Sequence, residues 1–341
     1  MTPSIRLGGF KILKEVVWIS LARPERERSF PAELSHLLAK EKTNLPFLTC
    51  GNEDWRWGLD LVIDSHDAEK TANLIQGNFH KTDFTTAKGV ILSIFPHRGK
   101  PETLGLLLDA FYKEGVAPVA VANSHSSISV VLQEEIANKA SNALFGPFSF
   151  SAYRTPADWK LAQKGKEKLY KEVVASYQEK RPKVYGLEWQ AEQELLQVKM
   201  NRDNLRAVGE VFKGLSQLDF PLTFLITSPS KEKGTTNLFF CVPESDKPRY
   251  SEILKELPAG AITTRVPSVA YFTMNGPHFG DRYGIANELL MALDEVQAEL
   301  LGLSCSIASI SGVVPAEQIH PAIQAIQGCF EVPSVINKTN V

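Results

Sequence analysis

The sequence predicts an α+β protein assembled from four βαββαβ units in two tandem pairs, and two observations predict it. An apolar strand, a polar loop carrying an arginine, a helix and two further strands recur about four times, with Arg28, Arg98, Arg202 and Arg282 at matching points. The stretches after Arg98 (GKPETLGLLLDAFYKEGVAPVAV) and Arg282 (YGIANELLMALDEVQAELLGLSC) also share apolar residues three and four apart, followed by a strand. More worn versions follow Arg28 and Arg202. A period of roughly 70 to 80 residues is too long for a solenoid unit that buries its core only by stacking, so each copy is expected to be a small domain with its own core. The expected boundaries are 10–86, 87–154, 184–265 and 266–336, with 155–183 as a connector.

The elements follow from the period of the apolar residues. In the second copy GVILSIFP reads as a strand, KPETLGLLLDAFYKEG as a helix stopped by Gly115, and VAPVAVANS and SISVVLQEE as two strands around a Ser-His-Ser turn. EIANKASNAL is a short helix and FSFSAY a last strand. The fourth copy repeats the order in SVAYFTM, GIANELLMALDEV, LSCSIAS, ISGVV, PAEQIHPAIQAIQG and CFEVPSV, with Pro315 opening its second helix. KEVVWISLA, FPAELSHLLAKEK, LPFLTC, WRWGLDLVID and SHDAEKTANLIQG make the first copy. ELLQVKM, DNLRAVGEVFKGLSQ, PLTFLIT, TNLFFCVPE, DKPRYSEILKELP and AITTRV make the third. Crossover helices joining antiparallel halves give the ferredoxin-like split βαβ arrangement, with both helices on one face of a four-stranded sheet. Copies packed side by side would give continuous sheets of about eight strands, since each alone leaves an edge and an apolar flank exposed. Thr155 to Lys183 mixes Lys and Glu with Trp159, Leu161, Leu169, Val173, Val174 and Tyr177 at helical spacing, and reads as one amphipathic connecting helix ended by Pro182.

Composition fits a globular protein without a polyanion-binding role. Hydrophobic residues make up 43% and charged residues 22%, and the net charge is -2. No stretch has the roughly 18 apolar residues of a membrane span, and the N-terminus lacks a signal-peptide pattern, so the expected compartment is the cytoplasm. Cys50, Cys241, Cys305 and Cys329 lack C-x-x-C spacing and lie in strand-like contexts, as buried free thiols do. His97 and His278 share no carboxylate or Cys at ligand spacing, so no metal is expected.

The stretch MNGPHFGDRYGIANELLMALDEVQAELLGLSCSIAS resembles an ACT domain, whose signature is a strand, a D-R-x-G-[IL] loop, a helix and a small residue opening the next strand. IFPHRGKPETLGLLLDAFYKEGVAPVAVANSHSSISVVLQEE is similar to the regulatory ACT domains of aspartokinases, including the serine-rich turn. The resemblance implies binding of an amino acid or another small metabolite, and regulation of an attached or partner enzyme. It also implies an amino-acid biosynthetic enzyme as partner and a homodimer. Nothing resembles an aspartokinase catalytic domain, and no G-x-x-x-x-G-K-[ST] or G-x-G-x-x-G loop follows a strand. The expectation is therefore a non-catalytic regulatory protein, not an enzyme, with no cofactor, and no nucleic-acid or membrane partner. Two alternatives are a structural subunit of an enzyme such as an aspartokinase, and an RNA-binding array of the same element order. The latter lacks the aromatic and basic third-strand motif.

The loop from Asn275 to Gly284 supports ligand contact on physical grounds. Gly276, Gly280 and Gly284 permit close approach of the backbone, and the loop feeds a helix whose first N–H groups are unpaired and suit a carboxylate. Asn275, Gly276, His278, Phe279, Gly280, Asp281 and Arg282 are the candidate ligand residues here, with Asp281 placed for an ammonium group or for a helix cap. His97, Arg98 and Gly99 are their counterparts in the second copy. The loops at Arg28 and Arg202 are weaker candidates, being stiffer for Pro31 and for want of glycine. Where many amino-acid-binding ACT domains carry an Asn early in the second strand, this chain has Pro46, Ala117, Pro221 and Gly302, which leaves Asn123, Ser124, Ser304 and Ser306 as later polar candidates. Trp55 and Trp57 are expected to cover the sheet or an interface.

Overall fold

The structure, a computed structural model, describes residues 5–80, 82–96, 99–124, 126–163, 181–277, 279–280, 282–307 and 309–339. Long strands set its plan. β2 (Gly9–Arg23), β5 (Asp83–Phe95), β9 (Gly186–Asn201) and β12 (Ile262–Asn275) each run 13 residues or more, well past the usual five or six. In β2 the exposed pair Lys14 and Glu15, with Glu15 at φ 59, forms a bulge where the pairing register to β5 shifts. β9 and β12 bend in the same way at Glu192 (φ 58) and Ser268 (φ 52), where their mutual register shifts. A bulge adds an unpaired residue and strengthens the local twist, so each strand turns from one layer into another.

The shorter strands fill the sheet between these four. They are β3 (Phe47–Glu53), β4 (Arg56–Asp64), β6 (Ala120–Asn123), β7 (Ile128–Gln133), β10 (Leu225–Pro229), β11 (Thr235–Pro243), β13 (Gly302–Cys305), β14 (Ser309–Pro315) and β15 (Val335–Asn337). The sheet has 13 strands in the order β11-β10-β6-β7-β5-β2-β4-β3-β13-β14-β12-β9-β15, and β9 pairs again with β11, which closes it into a flattened ring. All its ladders are antiparallel except that of β15 on β9.

Helices cover the two outer faces. Leu34 and Leu38 of α1 (Phe30–Lys40), Ile75 of α2 (Ala68–Asn78), Leu289 and Leu293 of α8 (Ile285–Glu295) and Ile326 of α9 (Ile319–Cys329) pack on Ile19, Leu61, Phe272 and Val314. On the other face α3 (Pro101–Lys113), α4 (Ala137–Ala143), α6 (Gly209–Ser216) and α7 (Lys247–Ile253) pack on Val90, Leu92, Val130, Leu196 and Phe240. Between the sheet layers lies a third cluster that includes Trp18, Phe47, Val62, Ile91, Phe224, Phe239 and Tyr271. The layers approach closely because glycine stands where they meet: a Cβ on Gly302 would lie 2.9 Å from the Phe224 ring. Among the described residues no helix is long and apolar enough to cross a membrane.

Several expected elements differ in detail. FSFSAY contributes β8 (Phe148–Phe150), which pairs in parallel with β1 (Ile5–Leu7) in a separate two-stranded sheet. Its expected place beside the second half of β5 is taken by Gly9–Leu13, because Phe10 and Ile12 continue the alternation of β2 toward that core. CFEVPSV splits likewise: Cys329 ends α9, and β15 joins β9. Pro315 ends β14 and caps the short 3-10 turn Ala316–Gln318 that leads into α9. The seams also join distant stretches rather than tandem neighbours, with β3 on β13 and α1 on α8, and β6 on β10 and α3 on α6. Shared long strands make one sheet of 13 strands where separate sheets of about eight were expected. The connecting helix is described as α5 (Pro156–Gln163), and the remainder of that expectation, 164–180, lies outside the described residues. Cys50, Cys241 and Cys305 are buried free thiols and Cys329 a partly buried one.

The α3–α6 seam rests on two facing glycines. A Cβ on Gly105 would lie 2.8 Å from the Gly209 carbonyl oxygen and 3.0 Å from the Lys213 nitrogen, both backbone atoms. Gly105→Ala is expected to destabilise the protein by about 1–3 kcal/mol in urea unfolding. Gly77→Ala, in α2 with nothing within 4 Å of the new Cβ, should instead stabilise by up to ~1 kcal/mol.

Candidate functional site

The segment between β12 and α8 is held in place by its own glycines. Gly280 donates its N–H to the Ile307 carbonyl at 3.0 Å, and a Cβ there would lie 2.6 Å from the Ile307 Cα. Gly284 sits at φ 88 and serves as the N-cap of α8, with its carbonyl accepting from the Glu288 N–H at 2.9 Å. The capping position thus falls on Gly284 and not on Asp281. Asp281 and His278 themselves lie outside the described residues.

Across the β3–β13 seam, the segment that follows α1 reaches this loop. Asn44 donates from Nδ2 to the Gly280 carbonyl at 2.7 Å. The two walls line a shallow cleft of about 10 Å³, room for a single water, with Phe279, Arg282 and the first residues of α8 facing Leu38, Ala39, Thr43 and Leu45. Thr43 Oγ1, Asn44 Oδ1, Asn275 Oδ1 and Asn287 Oδ1 are buried there or nearby without a hydrogen-bond partner. An unpaired buried polar atom costs about 1–3 kcal/mol, so these groups are suited to a polar ligand. Arg282 stands 3.7 Å from Glu288, whose carboxyl burial pushes above its usual range.

The other predicted residues fare differently. Gly276 turns the chain against the Lys183 carbonyl, 2.7 Å from where its Cβ would be. Ser306 is occupied with Ser309, its hydroxyl 2.9 Å from the Ser309 hydroxyl. Ser304 alternates with Leu303 and Cys305, which face the α1–α8 core, and so looks into the inner layer instead. In the second copy His97 and Arg98 lie outside the described residues. Gly99 and Asn123 are engaged by the chain itself: the Leu222 N–H donates to the Gly99 carbonyl at 2.6 Å, and Asn123 Nδ2 donates to the Leu222 carbonyl at 3.0 Å. Ser124 hydroxyl accepts from the Ser127 N–H at 3.1 Å in the turn before β7.

Sequence reasoning set aside one feature that the structure brings forward. Arg28, Pro31, Ala32, Trp55 and Trp57 face Leu293, Asp294 and Leu300 around a shallow cleft of about 20 Å³. It mirrors the first one across the α1–α8 contact. Arg28 lies 6.0 Å from the Trp55 ring and 3.8 Å from Asp294, while its Nε and Nη2 are buried without hydrogen-bond partners. The signal was present in the matching of Arg28 to Arg282, and the missing glycines outweighed it. Trp57 is buried and donates from Nε1 to the Glu27 carbonyl at 2.6 Å, whereas Trp55 lies in the turn before β4 at φ 63.

No family model matches the chain. It is similar to the aspartokinase of Corynebacterium glutamicum, with 27% identity over 127 residues, which cover 36% of this chain and 30% of that protein. The crystal structure of aspartate kinase from Synechocystis superposes on 95% of this chain and 56% of that one, with a TM-score of 0.76 and 16% identity. The regulatory subunit of aspartate kinase from Thermus thermophilus matches 43% of this chain and 99% of its own, at a TM-score of 0.38 and 19% identity. The chain thus spans 30% of the length of the curated relative it matches.

These matches correct two expectations. The proteins this chain is similar to in sequence, and over nearly its whole length in fold, are aspartate kinases. The expectation of a non-catalytic regulatory protein and the expectation that the chain is not an enzyme are therefore both set aside, in favour of the alternative that ties the chain to an aspartokinase.

Leu222 closing on Gly99 and Asn123 has a measurable consequence. Asn123→Ala leaves the buried Leu222 carbonyl without its side-chain donor and should lower stability by about 1–3 kcal/mol, read from the thermal midpoint and urea unfolding.

Proposed function

We propose that the chain is a regulatory part of an aspartokinase, made of four ACT-type βαββαβ units, and that an amino acid held between α1 and α8 changes the activity of the enzyme. The observation that carries this reading is the cleft at the β3–β13 seam. It joins a helix N-terminus, one arginine and several buried polar atoms that lack partners. The units pair first with fourth and second with third through β3–β13 and β6–β10. The likeness to aspartokinases supplies the kind of enzyme.

The chemistry of the cleft suits an α-amino acid. The first N–H groups of α8 and the Arg282 guanidinium take the carboxylate, and Asn44, Asn287 and the Thr43 hydroxyl take the ammonium or a polar side chain. Asp281 is placed beside them by sequence. At the Gly99 and Asn123 loop, Leu222 occupies the Gly99 carbonyl and the Asn123 amide nitrogen, while Asn123 Oδ1 stays buried without a partner. The mirror cleft at Arg28 is a second position for a carboxylate. A homodimer in the cytoplasm is the assembly proposed.

A thermal-shift screen against the common amino acids tests the ligand, since a ligand at ~100 times its dissociation constant adds about 2.7 kcal/mol of stability. At least one amino acid should raise the midpoint. Thr43→Val removes an unpaired buried hydroxyl at nearly constant shape, so it should leave the melt of the free protein unchanged or slightly raised while reducing the ligand shift. The enzyme assignment is tested by ATP-dependent phosphorylation of aspartate, assayed with the chain alone and with the aspartokinase of the same source. Phosphorylation that the chain supports or alters, and that the stabilising amino acid modulates, is expected. An assay insensitive to both chain and ligand would overturn the assignment.

A further inference from the structure

Arg202, the arginine that recurs at the third loop, turns toward Trp18 in the space between the layers. Its guanidinium carbon lies 5.7 Å from the centre of the Trp18 ring. The same Trp18 donates from Nε1 to Asp60 Oδ1 at 3.0 Å. Asp60 is 2% exposed and sits on β4 between Ser20 of β2 and Thr49 of β3, its partners in the two ladders. Two rungs along, on the same face, Gly58 and Gly51 lie under Ser228 and Pro229 of β10, which belongs to the other half of the chain. Thr49 Oγ1, Ser228 Oγ and Arg202 Nε are all buried without a partner. A carboxyl group thus occupies a dry seam where residues of both halves meet, with fewer hydrogen bonds than its surroundings offer.

The groups facing Asp60 can be named. Trp18 and Ser20 come from β2 and Thr49 from β3. Cys50, also on β3, is kept neutral because burial raises its thiol well above the ordinary value. Arg202, from the second half, is the cation acting on Asp60 among the described residues. Burial dominates and lifts the Asp60 carboxyl to about 6, against the opposing pull of Ser20, Trp18 and Arg202.

We propose that Asp60 is a proton-linked clasp between the two halves: its neutral carboxyl fits the dry seam, and its ionisation, only partly offset by Arg202, loosens β3 and β4 from β10. Opening the seam hydrates the carboxylate and releases its proton to solvent. The folded value is raised above the ordinary 3.8, so the clasp is fully closed below about pH 4, weakens as pH rises toward about 6, and changes little above that. A difference of roughly two pH units makes opening ~100-fold more frequent across the window.

The Trp18 indole N–H reports directly on its acceptor. Its NMR signal should titrate between pH 4 and 8 with a midpoint near 6, and Asp60→Asn should abolish that titration. Amide exchange in β3, β4 and β10, corrected for intrinsic rates, should show opening that rises ~100-fold from pH 4 to 7 in the natural protein and stays flat in Asp60→Asn. Arg202→Gln, which removes the cation that favours ionisation, should move the midpoint upward and serves if the first variant fails to fold. A Trp18 signal that does not titrate between pH 5 and 7, an unmoved midpoint in Arg202→Gln, or the same exchange profile in Asp60→Asn would overturn the proposal.

Discussion

Every strand pair in this chain faces the same constraint, that an open sheet edge is a liability, and the molecule answers it by letting four long strands serve two layers each. β2, β5, β9 and β12 pass from one layer to the other, and β9 closes the ring on β11. The bends in β2, β9 and β12 need residues that tolerate exposure and an unusual backbone, which is why Lys14 with Glu15, Glu192, and Pro267 with Ser268 interrupt otherwise apolar alternation. Once the ring is closed, helices can lie only on the outer faces. The residues between the layers must then be apolar, small or fully paired, and Asp60 stands out because it is none of these.

The two helix seams show how one repeated unit diverges through single residues. At α3–α6, Gly105 and Gly209 let the backbones touch, Lys213 pairs with Asp109 and Glu210, and Leu222 closes over Gly99. At α1–α8 no such glycine pair meets among the described residues, and a cleft lies at each end of the contact, one lined by Leu38 and the other by Leu293. The arginine common to the repeats follows the same split. Arg28 and Arg282 line clefts, and Arg202 covers Trp18.

Much of this was legible in sequence. The order of strands and helices followed from apolar spacing, as in GVILSIFP and LLLDAFYK, because burial on one face imposes its period wherever the chain is regular. The loop at Gly280 and Arg282 was legible because glycine and a helix start are local signals. Which strand fills an edge was not: FSFSAY and Gly9–Leu13 both alternate, and only the competition between them in the folded ring assigns the place beside β5. The pairing of distant stretches, the Arg28 cleft and the inward turn of Arg202 depend on the same long-range choice. Ser304 was misjudged for a simpler reason, since a shift of one position reverses the face of a strand.

The central claim is that the α1–α8 seam senses an amino acid, and amide exchange in the presence of whichever amino acid stabilises the protein tests it most directly. The account predicts added protection on both walls together, in the first turn of α8 after Gly284 and in the segment from Leu38 to Leu45, with α3 and α6 unchanged. Protection confined to α3 and α6, or a ligand that stabilises the protein without protecting either wall, would contradict it.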